Sequence, residues 1–362
     1  MLSEIGSNFW IKPEELKLNQ GLTTPAQFGC DGSDYVWMST GRSATAFVLD
    51  TIEKRNPNVR KVAVIPPFTC HTVIEPFLAK GYEVYTFHTG RDLMAKASDV
   101  MKEVREHNAG VVLFHRFFGV NTIPDIESIL PELKDLGVVT IEDCTQNLYS
   151  TYMKSSADYY VGSIRKWCGV PDGGFAVCKE GMFEGKPVEK DVKLEASKEE
   201  ASILKYEFLF EGKGDKQVFL SKYREAEDIL DTQVKFYVIS DLSAAIQTHL
   251  DVEELKEKRR KNFEIIAEGL VGIKGVTVIF KKLADNEVPL YCPILCETRL
   301  DVQPLLVKNS IFAPVVWPKA DCCPKVDTDA DYLYDHILCI PIDQRYVADD
   351  MVRVVDVLKN NL

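Results

Sequence analysis

Short apolar runs rich in β-branched residues alternate with helical patterns between about residues 35 and 180, and this alternation limits the possible folds more than any other feature of the chain. Strands are predicted at 59–66, 82–87, 110–115, 138–144, 159–164 and 173–178. Helices are predicted at 43–55, 70–81, 92–108 and 125–137. Because several strands are wholly apolar and helices separate them, the sequence predicts an α/β domain whose parallel or mixed sheet is covered on both faces.

The patterns outside this region divide the chain into further parts. Residues 1–34 form an N-terminal segment without a clear pattern, and 35–238 form the large α/β domain. Within it, the highly charged stretch 179–235 is expected to be a solvated excursion with one or two helices. A long helix at 239–270 is expected to connect two domains. Residues 271–362 are predicted to form a smaller α+β domain, with strands at 276–280, 289–296 and 311–316 and helices at 300–310 and 348–361.

The charge balance excludes one large class of partners. The chain has 43 basic and 55 acidic residues, which gives a net charge of −12. Nucleic-acid-binding proteins normally carry a basic field over their contact face, so we expect no nucleic-acid partner. Small anionic ligands stay possible, because a few local Arg or Lys side chains are enough to bind them.

Cysteine usage and the lack of long apolar segments indicate the cellular location. The ten cysteines show no disulfide-framework spacing, and the chain starts without a secretion-signal pattern. No run of eighteen or more apolar residues is present, so no membrane span is predicted. We therefore expect a cytoplasmic protein with free thiols. No metal site is predicted either, since five of the histidines lack metal-ligand spacing and are expected to be structural or on the surface: His88, His107, His115, His249 and His336.

Three loops that follow predicted strands or open a helix carry side chains suited to chemistry. Such positions matter because ligands of open α/β sheets bind beyond the carboxyl ends of the strands. The first loop, STGRSAT (39–45), places small residues and Arg42 at the start of a helix, where backbone N–H groups favour a phosphate. The alternative is an ordinary helix cap by Ser39, Thr40 or Ser43.

The second and third loops add a carboxylate and an amine. In IEDCTQN (141–147), Asp143 and Gln146 come directly after an apolar strand, although Asp143 could equally be a helix N-cap. In GSIRKWCGVPDGG (162–174), Lys166 follows the next strand, with Ser163 three residues before it. Partial burial there would lower the pKa of Lys166 and suit it to Schiff-base chemistry, whereas the alternative is a solvated surface lysine.

Together the three loops contain what pyridoxal 5′-phosphate (PLP) requires from a protein. The coenzyme needs an amine to hold its aldehyde, a carboxylate to keep its pyridine nitrogen protonated, and a cup for its phosphate. Lys166, Asp143, and Ser163 with the 41–44 turn match these three needs. The absence of a G-x-G-x-x-G motif after a strand argues against a nicotinamide-dependent dehydrogenase on the same scaffold.

The same motifs resemble a known family. The run IEDCTQ, followed by S-x-x-K-W and P-D-G-G, resembles the PLP-dependent sugar-nucleotide aminotransferases of the DegT/DnrJ/EryC1/StrS type, over about residues 35–360. Three longer segments are also similar to that family: PPFTCHTVIEPFLAKGYEV, ISDLSAAIQTHLDVEELKEKRR and IPIDQRYVADDMVRVVDVLK. The resemblance implies PLP fold type I, with a large domain built on a mainly parallel seven-stranded sheet and a smaller C-terminal α+β domain.

The resemblance also implies a role for each matching residue. Lys166 would hold the coenzyme as a Schiff base and then move the proton between coenzyme and substrate carbons. Asp143 would pair with the pyridinium nitrogen, and Gln146 would lie near the phenolic oxygen. The phosphate would be held by Ser163, Arg42 and Ser43.

Two positions depart from the family pattern. The ring-stacking position falls on Cys70, where relatives often have an aromatic residue, and His71 is the neighbouring candidate. The stretch KFYVISD near residue 236 lacks the Asn and Arg with which relatives commonly reach the phosphate of a partner subunit. The residues that a partner contributes are therefore open.

The resulting prediction is an aminotransferase that moves an amino group from an amino acid, L-glutamate, to a keto-sugar nucleotide. The resemblance implies a homodimer and a place in polysaccharide biosynthesis. One alternative is a PLP enzyme of the same fold that acts on another keto or amino substrate or eliminates water; relatives that eliminate water carry histidine in place of Lys166. A second is a non-catalytic binding relative, which the presence of both Lys166 and Asp143 disfavours. Trp317, in a loop of the smaller domain, is either a substrate contact or a packing residue.

Overall fold

The structure is a computed structural model that describes residues 4–19, 21, 23–152, 154–187, 189–231 and 235–362 of the chain. Its strands are β1 (Ile5–Gly6), β2 (Asp34–Met38), β3 (Val62–Ile65), β4 (Glu83–Thr86), β5 (Val111–His115), β6 (Val139–Asp143), β7 (Tyr159–Ser163), β8 (Gly174–Cys178), β9 (Glu189–Lys190), β10 (Tyr237–Val238), β11 (Val276–Val278), β12 (Cys292–Cys296), β13 (Ile311–Phe312) and β14 (Ile337–Ile340).

The α-helices follow the same chain order. They are α1 (Gly41–Arg55), α2 (His71–Ala79), α3 (Ala97–His107), α4 (Leu130–Asp135), α5 (Val192–Tyr206), α6 (Lys216–Asp231), α7 (Asp241–His249), α8 (Val252–Gly269), α9 (Arg299–Lys308), α10 (Thr328–His336) and α11 (Ala348–Asn361).

The chain divides into two compact units. The first unit comprises Met1–Ser7, Asn58–Asp158 and Asp251–Leu362, and the second comprises Asn8–Pro57 and Tyr159–Leu250. The central sheet has seven strands. The two units are defined by packing contacts. The domain boundaries predicted from the sequence patterns stay a prediction.

In the first unit, four strands of the central sheet lie in the order β6-β5-β3-β4, and all their pairings are parallel. Their side chains are largely buried, as expected when helices cover both faces of a parallel sheet. The register pairs His115 with Asp143, so the last residues of β5 and β6 lie side by side. A separate antiparallel sheet, β11-β12-β14, packs with helices α8, α9 and α11 around a core of apolar side chains such as Phe263, Ile294 and Leu338.

In the second unit, β2, β8 and β7 pair antiparallel in that order, and α1 packs against β7 and β8. The charged excursion is a hairpin of helices α5 and α6, which pack on each other through small apolar clusters that include Leu194, Ala201 and Phe219. The prediction of one or two helices in this stretch is confirmed at two. Residues 188 and 232–234, within the same stretch, lie outside the described residues.

The predicted α/β fold class with its seven-stranded sheet is confirmed, but the single long helix predicted at 239–270 is wrong. Leu250 has an extended backbone (ψ 126°), and it separates α7 from α8. Asp251 then caps α8, because its side chain accepts a hydrogen bond from the Glu254 N–H at 2.9 Å. The Asp-x-x-Glu pattern is itself a helix-start signal within an otherwise continuous helical pattern.

Other predicted boundaries shift, and some elements were not predicted. The helix predicted at 92–108 begins only at Ala97, where Asp125 accepts a hydrogen bond from its N–H at 3.1 Å. Strand β2, helix α10 and strand β14 had no counterpart among the predicted elements. Short elements with few apolar residues have weak periodic signals, and neighbouring strands or helices decide whether they form.

Candidate active site

Thr40, one of the three residues predicted as possible caps, is the N-cap of α1. Thr40 has an extended backbone, and its Oγ1 accepts a hydrogen bond from the Ser43 N–H at 3.0 Å. The two hydroxyl oxygens lie 2.8 Å apart. The capping interpretation is therefore correct for Thr40. It does not conflict with a phosphate site, because a capped helix entrance still directs its dipole and its first-turn N–H groups outward.

Backbone packing in the second unit brings the start of α1 near the end of β7 and the start of β8. A methyl group added at Gly41 would lie 3.4 Å from the Cβ of Ser163, and one added at Gly174 would lie 2.2 Å from the carbonyl carbon of Thr40. The Ser163 hydroxyl donates to the Gly173 carbonyl at 2.9 Å. The start of β8 thus approaches the residue before α1 closely, and Gly174 makes this approach possible because it has no side chain.

Arg42 is directed elsewhere. Its guanidinium forms an ion pair with Asp231, at the end of α6, over 2.9 Å. The structure therefore ties Arg42 to the helical hairpin, and the role of Arg42 in phosphate binding stays a prediction.

Lys166 ends a single 3₁₀ turn, Ile164–Lys166, that follows β7 directly. Its side chain is exposed, whereas the sequence interpretation expected partial burial. The turn directs Ile164 and Trp167 into the core instead, and both are fully buried. The expectation of burial was wrong because an aromatic neighbour, rather than the lysine, fills the core at this point.

The P-D-G-G turn is fixed by a network that sequence reasoning missed. The buried carboxylate of Asp172 accepts hydrogen bonds from the Ser240 N–H, the Ser240 hydroxyl at 2.7 Å and the Ser243 hydroxyl at 2.6 Å. It thereby joins the Lys166 loop to the first turn of α7. Burial raises the pKa of Asp172 to about 6, although the three hydroxyl and N–H donors oppose this effect.

In the first unit, Asp143 is the last residue of β6 and is half-buried. One carboxylate oxygen accepts a hydrogen bond from the Thr145 N–H at 2.8 Å, which stabilises a local turn and not a helix cap. The Thr145 side chain also hydrogen-bonds to this carboxylate. Burial raises the pKa of Asp143, and the adjacent Glu142 adds to that effect while Thr145 opposes it.

A chain of hydrogen bonds lies beside Asp143 and includes the predicted Gln146. The Gln146 side-chain oxygen accepts from the Phe118 N–H at 2.9 Å, and its amide nitrogen is 3.5 Å from Nδ1 of His115. The other ring nitrogen of His115 is 3.1 Å from the Thr69 hydroxyl. Burial lowers the pKa of His115 to about 3, so the ring is neutral and orients its neighbours without carrying charge.

His115 was predicted to be structural or on the surface, and its place next to Asp143 was missed. The signal was available, since His115 ends the apolar strand GVVLFH in the way that Asp143 ends the next one. Trp317 packs against the same histidine, with ring centroids 5.8 Å apart, and against Phe68 at 5.5 Å. Trp317 therefore packs on His115 and Phe68, and its role as a substrate contact stays a prediction.

Cys70 and His71 open helix α2, and both are half-buried. The Thr72 hydroxyl donates to the Cys70 sulfur at 3.1 Å, and Nδ1 of His71 lies 3.8 Å from the same sulfur. Both side chains therefore lie at one helix entrance, and which of them stacks on a ring stays open.

The described residues contain neither a metal site nor a membrane-spanning helix. Within the described ranges, no group of three or more His, Cys, Asp or Glu side chains has the arrangement of a metal site. No helix in those same ranges is long and apolar enough to cross a membrane.

Comparison with known proteins gives likeness in structure but not in sequence. No family model matches the chain, and no curated protein sequence matches it. The sugar aminotransferase CalS13 from Micromonospora echinospora superposes with a TM-score of 0.69 at 17% identity, over 99% of this chain and 100% of its own. A DegT DnrJ EryC1 StrS aminotransferase from Brucella abortus gives 0.65 at 15% identity, over 97% and 91%.

The PLP form of Spr1654 from Streptococcus pneumoniae gives a TM-score of 0.69 at 14% identity, over 99% of this chain and 98% of its own. Identities this low establish the fold alone. The chain therefore has the fold of these aminotransferases, and the resemblance predicted from its motifs is confirmed at that level.

Proposed function

We propose that this chain is a PLP-dependent aminotransferase that transfers an amino group from L-glutamate to a keto-sugar nucleotide. The observation that carries the proposal is the position of Asp143 and Lys166. Each comes directly at or after the end of a strand of the central sheet, in a chain with the fold of sugar aminotransferases. Ligands of such sheets bind beyond these strand ends.

The residues of both units fit the coenzyme. In the second unit, the start of α1 and the end of β7 carry hydroxyls and helix N–H groups that would hold a phosphate. In the first unit, Asp143 offers a half-buried carboxylate whose described hydrogen-bond donors both belong to Thr145, and such a carboxylate suits the protonated nitrogen of a pyridine ring. When bound, PLP supplies an electron sink that stabilises negative charge on the substrate carbon.

Three residues of the chain would have separate roles in the reaction. Lys166 would react with an aldehyde through its Nζ, and once released it would take a proton from the substrate carbon and return it. The ionised Asp143 would keep the ring nitrogen protonated. His115, neutral and buried, would hold the Gln146 amide at the edge of this region.

The substrates and assembly belong to the same proposal. The named function of CalS13 supports a sugar acceptor, and the motif resemblance supports a nucleotide-linked keto-sugar with glutamate as donor. We propose a cytoplasmic homodimer on the same basis.

Covalent labelling tests the proposal. Protein incubated with PLP and reduced with borohydride is expected to carry the coenzyme on Lys166, located by peptide mass spectrometry. L-glutamate added without an acceptor is expected to release one 2-oxoglutarate per site. Protein that takes up no PLP would contradict the proposal, and reaction with other amino acids but not with glutamate would contradict the donor.

A further inference from the structure

Two cations contact one carboxylate next to the P-D-G-G loop. Arg165, the residue before Lys166, places its guanidinium 3.4 Å from an oxygen of Glu227 on helix α6. Lys198 on helix α5 forms a close ion pair with the same oxygen. Residues from the strand-end turn and from both helices of the hairpin thus converge on one point.

Lys198 is buried to an unusual degree for a lysine. Its side chain is only 7% exposed, and its ammonium lies 5.5 Å from the centre of the Tyr223 ring. Lysines are rarely buried unless they are paired, and burying a charge is costly when its partner is weak. Glu227 is the anion that pairs with this buried ammonium.

Glu227 by itself is a poor match for these cations. Arg165 and Lys198 together carry two positive charges, and Lys166 is close enough that its charge lowers the pKa of Lys198 further, after burial and Arg165. The result is a pKa of about 8 for Lys198. Asp172 also interacts with Arg165, and a pKa of about 6 leaves it largely ionised at neutral pH, so the three cations Arg165, Lys198 and Lys166 face two carboxylates. Positive charge therefore exceeds negative charge at this point.

Glu227 is also the exposed member of the group. Its side chain is 56% exposed, whereas that of Arg165 is 19% exposed. The glutamate can rotate toward solvent, but the two cations are fixed by the turn and by the packed hairpin. It thus has the properties of an exchangeable counter-ion.

We propose that Arg165 and Lys198 form a binding site for the phosphate or diphosphate group of the acceptor substrate, which displaces Glu227. A diphosphate carries more than one negative charge and matches the two cations better than one carboxylate does. Arginine binds phosphate oxygens through its planar fork, and lysine binds them as a point charge. The proposal rests on the proposed function, because Lys166, the residue after Arg165, is the expected reaction site.

The test is calorimetric titration of the PLP-loaded protein with inorganic diphosphate, which keeps the coenzyme's own phosphate site filled. We expect binding that weakens as the salt concentration rises. Lys198→Met should weaken the affinity for diphosphate at least about tenfold, which is the effect of losing one hydrogen bond to a charged group. Lys198→Arg should retain most of the wild-type affinity. The control is Lys222→Met, which removes a lysine of the same hairpin that pairs with Glu200 at 2.9 Å, and it should bind as the wild type does.

The outcomes separate this site from the proposed function. Diphosphate that binds only when PLP is absent would overturn the proposal, since the coenzyme site would then be the one measured. Equal affinities for wild type and Lys198→Met, with circular dichroism showing both folded, would also overturn it. If diphosphate binds through Lys198 but borohydride attaches no PLP to Lys166, the anion site stands and the proposed aminotransferase function is wrong.

Discussion

Two adjacent carboxylates at the end of β6 have opposite environments. Glu142 is fully buried, forms an ion pair with Arg116, and accepts a hydrogen bond from the Ser155 N–H at 2.8 Å. Although its burial opposes ionisation, these partners hold the pKa of Glu142 below its usual value. Asp143 points to the other face of the strand, where Thr145 alone among the described residues donates to it. Glu142 is thus a structural charge, and Asp143 is the one available to a ligand.

Substituting Asp143 separates its two possible roles. In Asp143→Asn, the side-chain oxygen can still accept from the Thr145 N–H, so the turn and the fold should be kept, with stability within ~0.5 kcal/mol of wild type. The amide cannot keep a pyridine nitrogen protonated. The glutamate half-reaction should therefore slow by roughly 3–4 kcal/mol in activation free energy, the usual effect of removing one preorganised electrostatic group.

Single-turnover release of 2-oxoglutarate measures this effect, with borohydride labelling of Lys166 as the control for coenzyme binding. A half-reaction near the wild-type rate would remove Asp143 from the site.

At the scale of elements, Asp172 connects the Lys166 loop to helix α7, and its ionisation gives the connection a pH dependence. The pKa of Asp172 is about 6 in the folded protein and close to its ordinary value of 3.8 in the unfolded chain. Between these two values the folded protein binds more protons than the unfolded chain does, so this group makes the free energy of unfolding fall as the pH rises. The change amounts to at most about 3 kcal/mol.

Asp172→Asn should remove this contribution, so its free energy of unfolding should depend less steeply on pH between about 4 and 6. Urea denaturation at a series of pH values measures the slope. The control is Asp241→Asn, in the first turn of the same helix, where the side chain is 52% exposed. Equal slopes for wild type and Asp172→Asn would show that the buried carboxylate is already ionised throughout this range.

The start of α8 offers a second test at this scale. Asp251 caps α8 directly after the break between α7 and α8. Asp251→Ala should therefore lower the free energy of unfolding by about 1 kcal/mol. Glu257→Ala, at an exposed position of the second turn, should change stability by less than ~0.5 kcal/mol. Denaturant titration compares the two variants. If both variants lower the free energy of unfolding equally little, the Asp251 cap does not stabilise the start of α8.

At the scale of the whole molecule, coenzyme binding should stabilise the fold. A ligand that binds only the folded state at a concentration of 100 times its Kd stabilises that state by about 2.7 kcal/mol. PLP should therefore raise the midpoint of thermal unfolding, and pyridoxal without the phosphate should raise it much less, because the α1 entrance would have no anion to bind. Differential scanning fluorimetry measures both shifts. Equal shifts with the two compounds would contradict a phosphate site at that entrance.

The sequence by itself determined the α/β class and the strand ends at which Asp143, Ser163 and Lys166 lie. These features follow from local properties, since short apolar runs fix where a strand ends and a polar residue directly after the run stands at the sheet edge. The capping role of Thr40 was likewise within reach, because a cap is a contact with a residue three positions away.

Only the tertiary structure decided which distant groups meet. Asp172 binds Ser240, 68 positions later, and Arg165 meets Glu227, 62 positions later. Burial also depends on such partners, which is why Trp167 rather than Lys166 fills the core. Periodicity describes which face of an element is apolar, but it contains no information on which other element covers that face. The sequence therefore identifies the strand ends that carry the candidate site residues, whereas the long-range contacts around them form only in the folded chain.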